Sequence, residues 1–228
     1  MKNSCYTLVF FLLFPFSLMA QNDEWGKRRV YFTPTRLINL LYPGLEFGYE
    51  YRYGRFSSQF SAAYLFSLFP SNYNSLTGYH MKFEEKYYIK KKPSSRRVKF
   101  FVSAETSYNY VNLNQFQRFI PPEAELIDDW EEREQYAYEG NMDLHRKAII
   151  TNFKFGAQFK SKKIIFENSA GLGIGFQNVT HYNKPNPNDI LYYSPSYGSG
   201  FPFQEFADKE GFSILPNITI SIKIGYVF

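Results

Sequence analysis

The residues best suited to proton-transfer chemistry in this sequence are its three histidines, His80, His145 and His181. A hydrolytic triad holds a nucleophile against a histidine that a carboxylate orients. His145 follows Asp143 near a predicted strand start, and His181 lies in a predicted loop, but neither has a nucleophile at a spacing typical of a hydrolase family. The sequence therefore indicates no catalytic residue and favours a non-enzymatic protein.

A run of alternating glycines, at Gly171, Gly173 and Gly175, resembles a phosphate-binding loop on first reading. Such loops follow a strand and open a helix, whereas this run lies in the middle of a predicted strand. All three glycines would also share one face of that strand. We therefore predict no cofactor site, and we interpret the glycines as room for neighbouring side chains.

Carboxylates are concentrated in one predicted loop, residues 112–145. They are Glu123, Glu125, Asp128, Asp129, Glu131, Glu132, Glu134, Glu139 and Asp143. Their spacing does not match a calcium-binding loop. Solvated surface charge is the favoured interpretation, with a divalent-cation site as the alternative, and no metal ligand is assigned.

Alternation with a period of two residues defines the elements that would position these side chains. It is clearest at residues 212–228, where Ile218, Ile220, Ile222 and Ile224 share one face and small or polar residues occupy the other. A strand sends successive side chains to opposite faces, so this segment is an amphipathic strand. Seven further strands are predicted, at about 29–41, 45–53, 56–66, 79–90, 98–111, 146–160 and 164–177.

Two residues disturb the alternation. Pro34 lies inside the first predicted strand, although proline is tolerated in strands only at edges, ends or bulges. Glu85 would point to the apolar side of the fourth strand, so we expect a bulge or an interfacial position there. The pairing of the first strand around Pro34 is left open by the sequence.

The predicted connections are short after strands two, four and six and long after strands three, five and seven. The short ones carry basic residues, and an even strand count places them at the same end as both termini. This asymmetry, together with tyrosines near strand ends, is typical of membrane barrels whose apolar face meets lipid. The sequence predicts an all-β fold, an eight-stranded antiparallel up-and-down transmembrane β-barrel.

Charged residues on the polar faces of these strands would then face the interior. They are Glu46, Glu50, Arg52, Lys82, Glu84, Lys86, Lys99, Glu105, Lys154, Glu167 and Lys223. Both signs are present in comparable number, and an eight-stranded barrel is just wide enough for its side chains to fill. We therefore predict a salt-bridged network in the lumen, with a narrow ion path as the alternative.

The N-terminus has the three parts of a secretory signal peptide. Lys2 supplies the positive charge, residues 6–18 the apolar region, and Ala20 and Gln21 flank the predicted cleavage site. Residues 1–20 are thus a predicted signal peptide, and residues 21–228 form one predicted domain. Cys5 is the single cysteine, so no disulfide is expected after cleavage. A dispersed net charge of +5 does not favour nucleic-acid binding.

Taken with the C-terminal residues Gly225, Tyr226, Val227 and Phe228, this pattern resembles small eight-stranded outer-membrane barrels of the OmpA or OmpW type, in the style of Bacteroidota. The resemblance implies that Tyr226 and Phe228 form the signal read by the barrel assembly machinery. It also implies an outer-membrane location, with membrane lipid and lipopolysaccharide as neighbours. It identifies no surface ligand.

The sequence thus predicts a non-enzymatic outer-membrane protein that presents long extracellular loops, at about 112–145 and 178–211, for surface interaction or envelope integrity. A narrow pore is one alternative. A lipid A-modifying enzyme, with His145 or His181 at the rim, is another. A cation site in the acidic loop would bridge that loop to lipopolysaccharide phosphates.

Overall fold

The strands of the computed structural model form an antiparallel sheet that closes on itself. The structure describes residues 27–37, 42–67, 73–89, 98–192 and 209–228. Its strands are β1 Arg28–Phe32, β2 Gly44–Tyr53, β3 Phe56–Phe66, β4 Tyr73–Tyr88, β5 Val98–Ile120, β6 Tyr138–Ser161, β7 Ile164–Tyr182, β8 Ile190–Leu191 and β9 Gly211–Val227. Its short helices are α1 Pro34–Leu37, α2 Pro122–Glu125 and α3 Trp130–Glu134. The predicted signal peptide, with Ala20 and Gln21, lies outside the described residues.

Eight of these strands make a ring in which each strand pairs with the next one along the chain. The order runs from β1 to β7, then to β9, which returns to β1; β8 is a short addition beside β5. Arg29 to Phe32 pair with Val227 to Ile224 and close the ring. The predicted all-β class and the ring of eight antiparallel strands are confirmed.

The two ends of the ring differ. The turns after β2 and β6, together with Arg28 and Val227, lie at one end, which we call the short-connection end. There the amide N–H of Phe228 donates to the carbonyl of Arg28 (3.1 Å). The opposite, long-connection end carries α1, α2, α3 and β8.

Residues 112–145 are not the long loop that the sequence predicts. β5 continues to Ile120 and β6 begins at Tyr138, so the pairing of these strands extends from Val98–Phe159 to Phe119–Tyr138. Likewise, β7 runs to Tyr182, so the predicted loop 178–211 is shorter than expected. In these extensions the two faces exchange polarity: Leu113 and Leu144 point inward, and polar residues such as Asn112 take the outward positions, while backbone pairing continues. β5 and β6 have 23 and 24 residues, against 10 and 11 in β2 and β3, so one side of the wall is much taller.

The predicted length of the first strand, residues 29–41, is also wrong. β1 ends at Phe32, and Pro34 begins the one-turn helix α1. Proline is well placed at the first position of a helix, where its missing N–H has no intrahelical partner. At Glu85 the register with β3 and β5 is continuous, so no bulge forms; its carboxylate accepts a hydrogen bond from Ser58 (2.6 Å) on the outer face.

Closure of the ring depends on a close approach between β1 and β9. A Cβ atom built on Gly225 would lie 2.5 Å from the ring of Tyr31, which is 1% exposed and cannot swing away. A Cβ on Gly175, which also points inward, would meet its nearest neighbour, Ile150, at 3.4 Å, an ordinary contact distance. The structure therefore supplies a test position and a matched control on neighbouring strands.

We expect Gly225→Ala to destabilise the ring by about 1–3 kcal/mol, because the added methyl group overpacks the seam. Gly175→Ala should change the free energy of unfolding by less than about 0.5 kcal/mol. Urea unfolding in detergent micelles, followed by tryptophan fluorescence, measures both values. Equal stability of the two variants would contradict the seam geometry.

Candidate functional site

Charged side chains fill the inside of the ring, while large apolar side chains cover its outside. Ten charged residues from seven strands are buried and form one cluster, which we call the ion-pair chain. It consists of Arg29, Glu46, Glu50, Lys82, Glu84, Lys86, Glu105, Lys154, Glu167 and Lys223. Five are carboxylates and five are cations, so the cluster as a whole has no net charge.

The signs alternate along the ion-pair chain. In order, the N···O distances are 2.7 Å for Arg29–Glu50, 2.8 Å for Glu50–Lys86, 2.6 Å for Lys86–Glu167, 2.9 Å for Glu167–Lys223, 2.6 Å for Lys223–Glu84, 2.7 Å for Glu84–Lys154, 2.6 Å for Lys154–Glu105, 3.8 Å for Glu105–Lys82 and 2.5 Å for Lys82–Glu46. Every interior member of the series therefore lies between two partners of opposite charge.

Strand alternation and register together produce this order. Lys82, Glu84 and Lys86 are two residues apart on β4, so all three face inward. Register places Glu84 directly opposite Glu105 of β5, a pairing of like charges that would be destabilising alone. Lys154 of β6 bridges these two carboxylates at 2.7 and 2.6 Å and removes the conflict.

The structure brings together nine of the eleven charged residues that the sequence assigns to the lumen. Arg52 and Lys99 are the exceptions, since both are half-buried near the short-connection end. Arg52 instead lies over the ring of Tyr88, with 4.9 Å between guanidinium carbon and ring centroid. The sequence analysis missed Arg29, which it placed at the start of the first predicted strand but did not assign to the lumen. The available signal was its spacing: Arg29 lies two residues before Tyr31 and therefore on the same face of β1.

Neutral polar groups complete the hydrogen bonding at the Arg29 end of the chain. Gln158 accepts from Arg29 (2.9 Å) and donates to Glu167 (2.5 Å). The hydroxyl of Tyr88 donates to Glu50 (2.9 Å). Gln59 accepts from both Lys86 (2.8 Å) and Lys223 (3.0 Å). These groups satisfy lone pairs and protons that the ion pairs alone leave open, which a buried network requires.

Apolar residues enclose the ion-pair chain from both sides. At the short-connection end, Tyr31, Ile165 and Val227 form one buried cluster. Toward the long-connection end a larger cluster fills the interior, made of Ala63, Leu65, Leu76, Val111, Leu113, Phe119, Met142, Leu144 and Val179. The charges are therefore removed from water along the axis of the ring as well as across its wall.

The alternating glycines of β7 face the interior, as the sequence predicts. A Cβ on Gly171 would lie 2.5 Å from Cγ of Lys154, and one on Gly173 would lie 2.2 Å from the side-chain oxygen of Asn152. The missing side chains thus leave room for the lysine that bridges Glu84 and Glu105. The run serves packing within the ring.

The three histidines lie in separate environments. His80 faces the interior, where its Nδ1 contacts Asn109 and its Nε2 is 3.8 Å from Glu46. His145 packs against Tyr182, with 4.6 Å between ring centroids. His181 has its Nδ1 3.6 Å from Glu210. The arrangement does not bring any two of them together around one site.

The acidic residues at the long-connection end have local structural partners. Asp129 caps α3 by accepting the N–H of Glu131 (2.9 Å), and Glu134 pairs with Arg118. Hydrogen bonds from Asn114 and Asn183 hold the pKa of Asp143 below its usual value. Partial burial and a hydrogen bond to Asp189 raise the pKa of the neighbouring Tyr138 to about 12. Among the described residues, no group of three or more His, Cys, Asp or Glu side chains could hold a metal ion.

Comparisons with known proteins add no family to this geometry. No family model matches the chain, and neither the curated proteins nor the solved structures contain a match. Within the part of the chain that the structure describes, no helix is long and apolar enough to cross a membrane. The interpretation therefore depends on the arrangement of this chain's own residues.

We expect Lys223→Met to destabilise the protein by about 3–5 kcal/mol, because it leaves Glu84 and Glu167 buried with one cation fewer. Lys147→Met makes the same exchange at an exposed position of β6 and should change stability by less than about 0.5 kcal/mol. Chemical unfolding in micelles gives both values. A loss below 1 kcal/mol for Lys223→Met would show that the chain of ion pairs is not a connected network.

Proposed function

We propose that the ring is a transmembrane β-barrel of the bacterial outer membrane. The observation that carries the proposal is the inverted distribution of polarity. Side chains such as Phe153, Leu172 and Ile218 are exposed on the outer face, whereas Lys86, Lys223 and Glu167 are buried inside. A protein in water gains stability by the opposite arrangement, while a lipid-facing wall requires this one.

The outer aromatic residues support a membrane of ordinary thickness. On β4, Tyr79 and Tyr87 are eight residues apart, and each packs with aromatic neighbours, Tyr110 (5.2 Å between centroids) and Phe56 (5.1 Å). Eight residues span about 27 Å along a strand. At a tilt of about 40° the vertical separation is about 20 Å, close to the apolar band of about 25 Å in known barrels.

Orientation follows from the difference between the ends. In outer-membrane barrels, the short turns and the termini face the periplasm, and the longer segments face outward. Tyr226 and Phe228, the predicted signal for the barrel assembly machinery, lie together on the outer face at the short-connection end, with centroids 5.2 Å apart. That location leaves both rings accessible to a recognising protein.

The interior supports an anchoring role over conduction. The ion-pair chain and the apolar clusters on either side occupy the axis of the ring. An ion crossing this space would have to break several buried salt bridges, each of which is costly to separate. We therefore propose a non-enzymatic, non-conducting barrel in contact with membrane lipid and lipopolysaccharide.

The tall side of the wall is the proposed surface for contacts outside the cell. The extended parts of β5, β6 and β7 rise beyond β2 and β3 and carry α2 and α3. Between them lies a small core of Ile120, Ala124 and Tyr192. Because paired strands hold this region, it can present its acidic side chains in a fixed arrangement for surface interaction or envelope integrity.

A lipid-facing wall should reject a charge at mid-height. We expect Leu172→Arg, a substitution at an outward position of β7, to destabilise the protein in liposomes by about 2–4 kcal/mol. Leu126→Arg changes an exposed leucine outside the ring and should have little effect. Unfolding in liposomes by urea measures both. If Leu172→Arg is neutral and the protein is soluble without detergent, the membrane proposal is wrong.

An interior crossed by paired charges and closed by apolar clusters should also hold back ions. We expect liposomes containing the full chain to retain a potassium gradient as well as empty liposomes do, and planar bilayers to show no unitary current steps. An added ionophore serves as the positive control for the potassium measurement. Reproducible current steps that scale with protein would instead support the narrow pore.

A further inference from the structure

One polar cavity inside the ring is not filled by the ion-pair chain. It has a volume of about 220 Å³ and lies at the Glu46 end of that chain. Besides Glu46, Lys82 and Glu105, its lining includes polar residues from the β1–β2 connection and from β4, β5, β6 and β9. They include Thr33, Arg36, Ser107, Asn109, Thr219 and Ser221. The lining is thus suited to a small polar molecule rather than to an apolar one.

The wall beside this cavity is incomplete among the described strands. β9 pairs with β1 only from Ile224 to Val227, while its pairing with β7 continues to Gly211. At the edge facing β1, the hydroxyl of Thr35 accepts the N–H of Ile222 (3.3 Å) and donates to the carbonyl of Ile222 (3.4 Å). The inward residues Asn217 and Thr219 are half-buried instead of buried, so the cavity is accessible from this side.

The charged groups that line the cavity are two cations, Arg36 and Lys82, and two carboxylates, Glu46 and Glu105. The ion-pair chain is neutral, and its two carboxylates at the cavity are already engaged: Glu46 by Lys82 (2.5 Å) and Glu105 by Lys154 (2.6 Å). Arg36 adds a positive charge, and no ion pair joins it to a carboxylate of the described chain. Its interaction with Glu46 and Glu105 is through space, without a direct contact.

Two buried polar atoms of residues that line the cavity also have no hydrogen-bond partner among the residues that the structure describes. They are Nε of Arg36 and the side-chain oxygen of Ser221. Buried polar atoms are nearly always satisfied, because a buried donor without an acceptor destabilises the fold. An open guanidinium N–H and an open hydroxyl, on an arginine without a direct ion pair and a serine beside it, are complementary to an oxyanion.

We propose that this cavity binds an oxyanion of the phosphate or carboxylate class, held by Arg36 with Ser221 and Thr219 at its side. The volume admits a phosphate group or a small carboxylate. Ile218 and Ile220 lie just outside the opening and are 76% and 73% exposed. If the protein spans a membrane as proposed above, a lipid headgroup could enter here with its acyl chains over these isoleucines; the anion site itself does not depend on that setting.

The first experiment titrates inorganic phosphate into the full chain in dodecyl maltoside, a detergent without phosphate, and measures heat by calorimetry. We expect saturable binding, at least tenfold weaker in Arg36→Gln and within threefold of the native affinity in Arg36→Lys. Arg55→Gln, which removes an exposed arginine at the short-connection end, should bind as the native chain does. Absence of saturable binding to the native chain, or native affinity in Arg36→Gln, would overturn the proposal.

A second variant tests the cavity without removing the charge. Thr219→Trp should fill the cavity and abolish phosphate binding. If Arg36→Gln does not fold, this variant alone tests whether the cavity binds phosphate. Native affinity in Thr219→Trp would place the phosphate elsewhere and overturn the proposal.

Competition then distinguishes the source of the anion. Phosphatidylglycerol displacing phosphate at least tenfold more effectively than glycerol phosphate indicates a lipid headgroup, and equal displacement indicates a free anion; both support the site. Diacylglycerol, which has no phosphate, should not compete, and displacement by it would overturn the proposal. These measurements use micelles, so failure of Leu172→Arg to destabilise the protein in liposomes would leave their outcome intact.

Discussion

The structure depends on keeping ten charged side chains inside a closed ring of strands without leaving any of them alone. Removing an ion from water costs several kcal/mol even after relaxation, and only close partners of opposite charge can repay that cost. The alternating order from Arg29 to Glu46 meets this condition because every interior member has two partners. The order exists only when these strands are in register, since its members come from seven of the eight strands of the ring: β1, β2, β4, β5, β6, β7 and β9. A slip of one residue in any strand would turn its charges outward.

The same constraint explains the shape of the rest of the ring. Charges inside require a wall whose other face is apolar, and the exposed Phe, Ile and Leu residues provide it. In the proposed membrane this outer face meets lipid, where unpaired backbone groups are costly, so closure between β1 and β9 becomes necessary. The closing pairs are few, from Arg29 to Phe32, and Gly225 allows Tyr31 to pack directly against them. The stability of the seam therefore depends on Tyr31. Its hydroxyl accepts a hydrogen bond from Gln158 (3.2 Å), which also bonds to Arg29 and Glu167 of the ion-pair chain.

Proline at position 34 has a consequence beyond the end of β1. Because β1 stops at Phe32 and α1 follows, the part of β9 before Ile224 is not paired with β1. The polar cavity lies beside this edge, and Arg36 reaches it from α1. The interior of the ring thus has a neutral, fully paired part and a smaller part whose arginine, Arg36, has no direct ion pair among the described residues. A single break in a strand accounts for both the incomplete wall and the position of the arginine.

Much of this protein was determined by its sequence alone, because a period of two residues reports which face of a strand each side chain occupies. That period indicated the all-β class, the eight strands of the ring and nine members of the ion-pair chain, from Glu46 to Lys223. It did not determine where strands end. β5 and β6 stay paired as far as Phe119 and Tyr138, because their backbone hydrogen bonds need no particular side chain. Nor could it determine which charge meets which. Partners such as Lys223 and Glu84 are far apart in the chain, so only closure of the ring brought them within 2.6 Å and left Arg36 without a direct ion pair among the described residues.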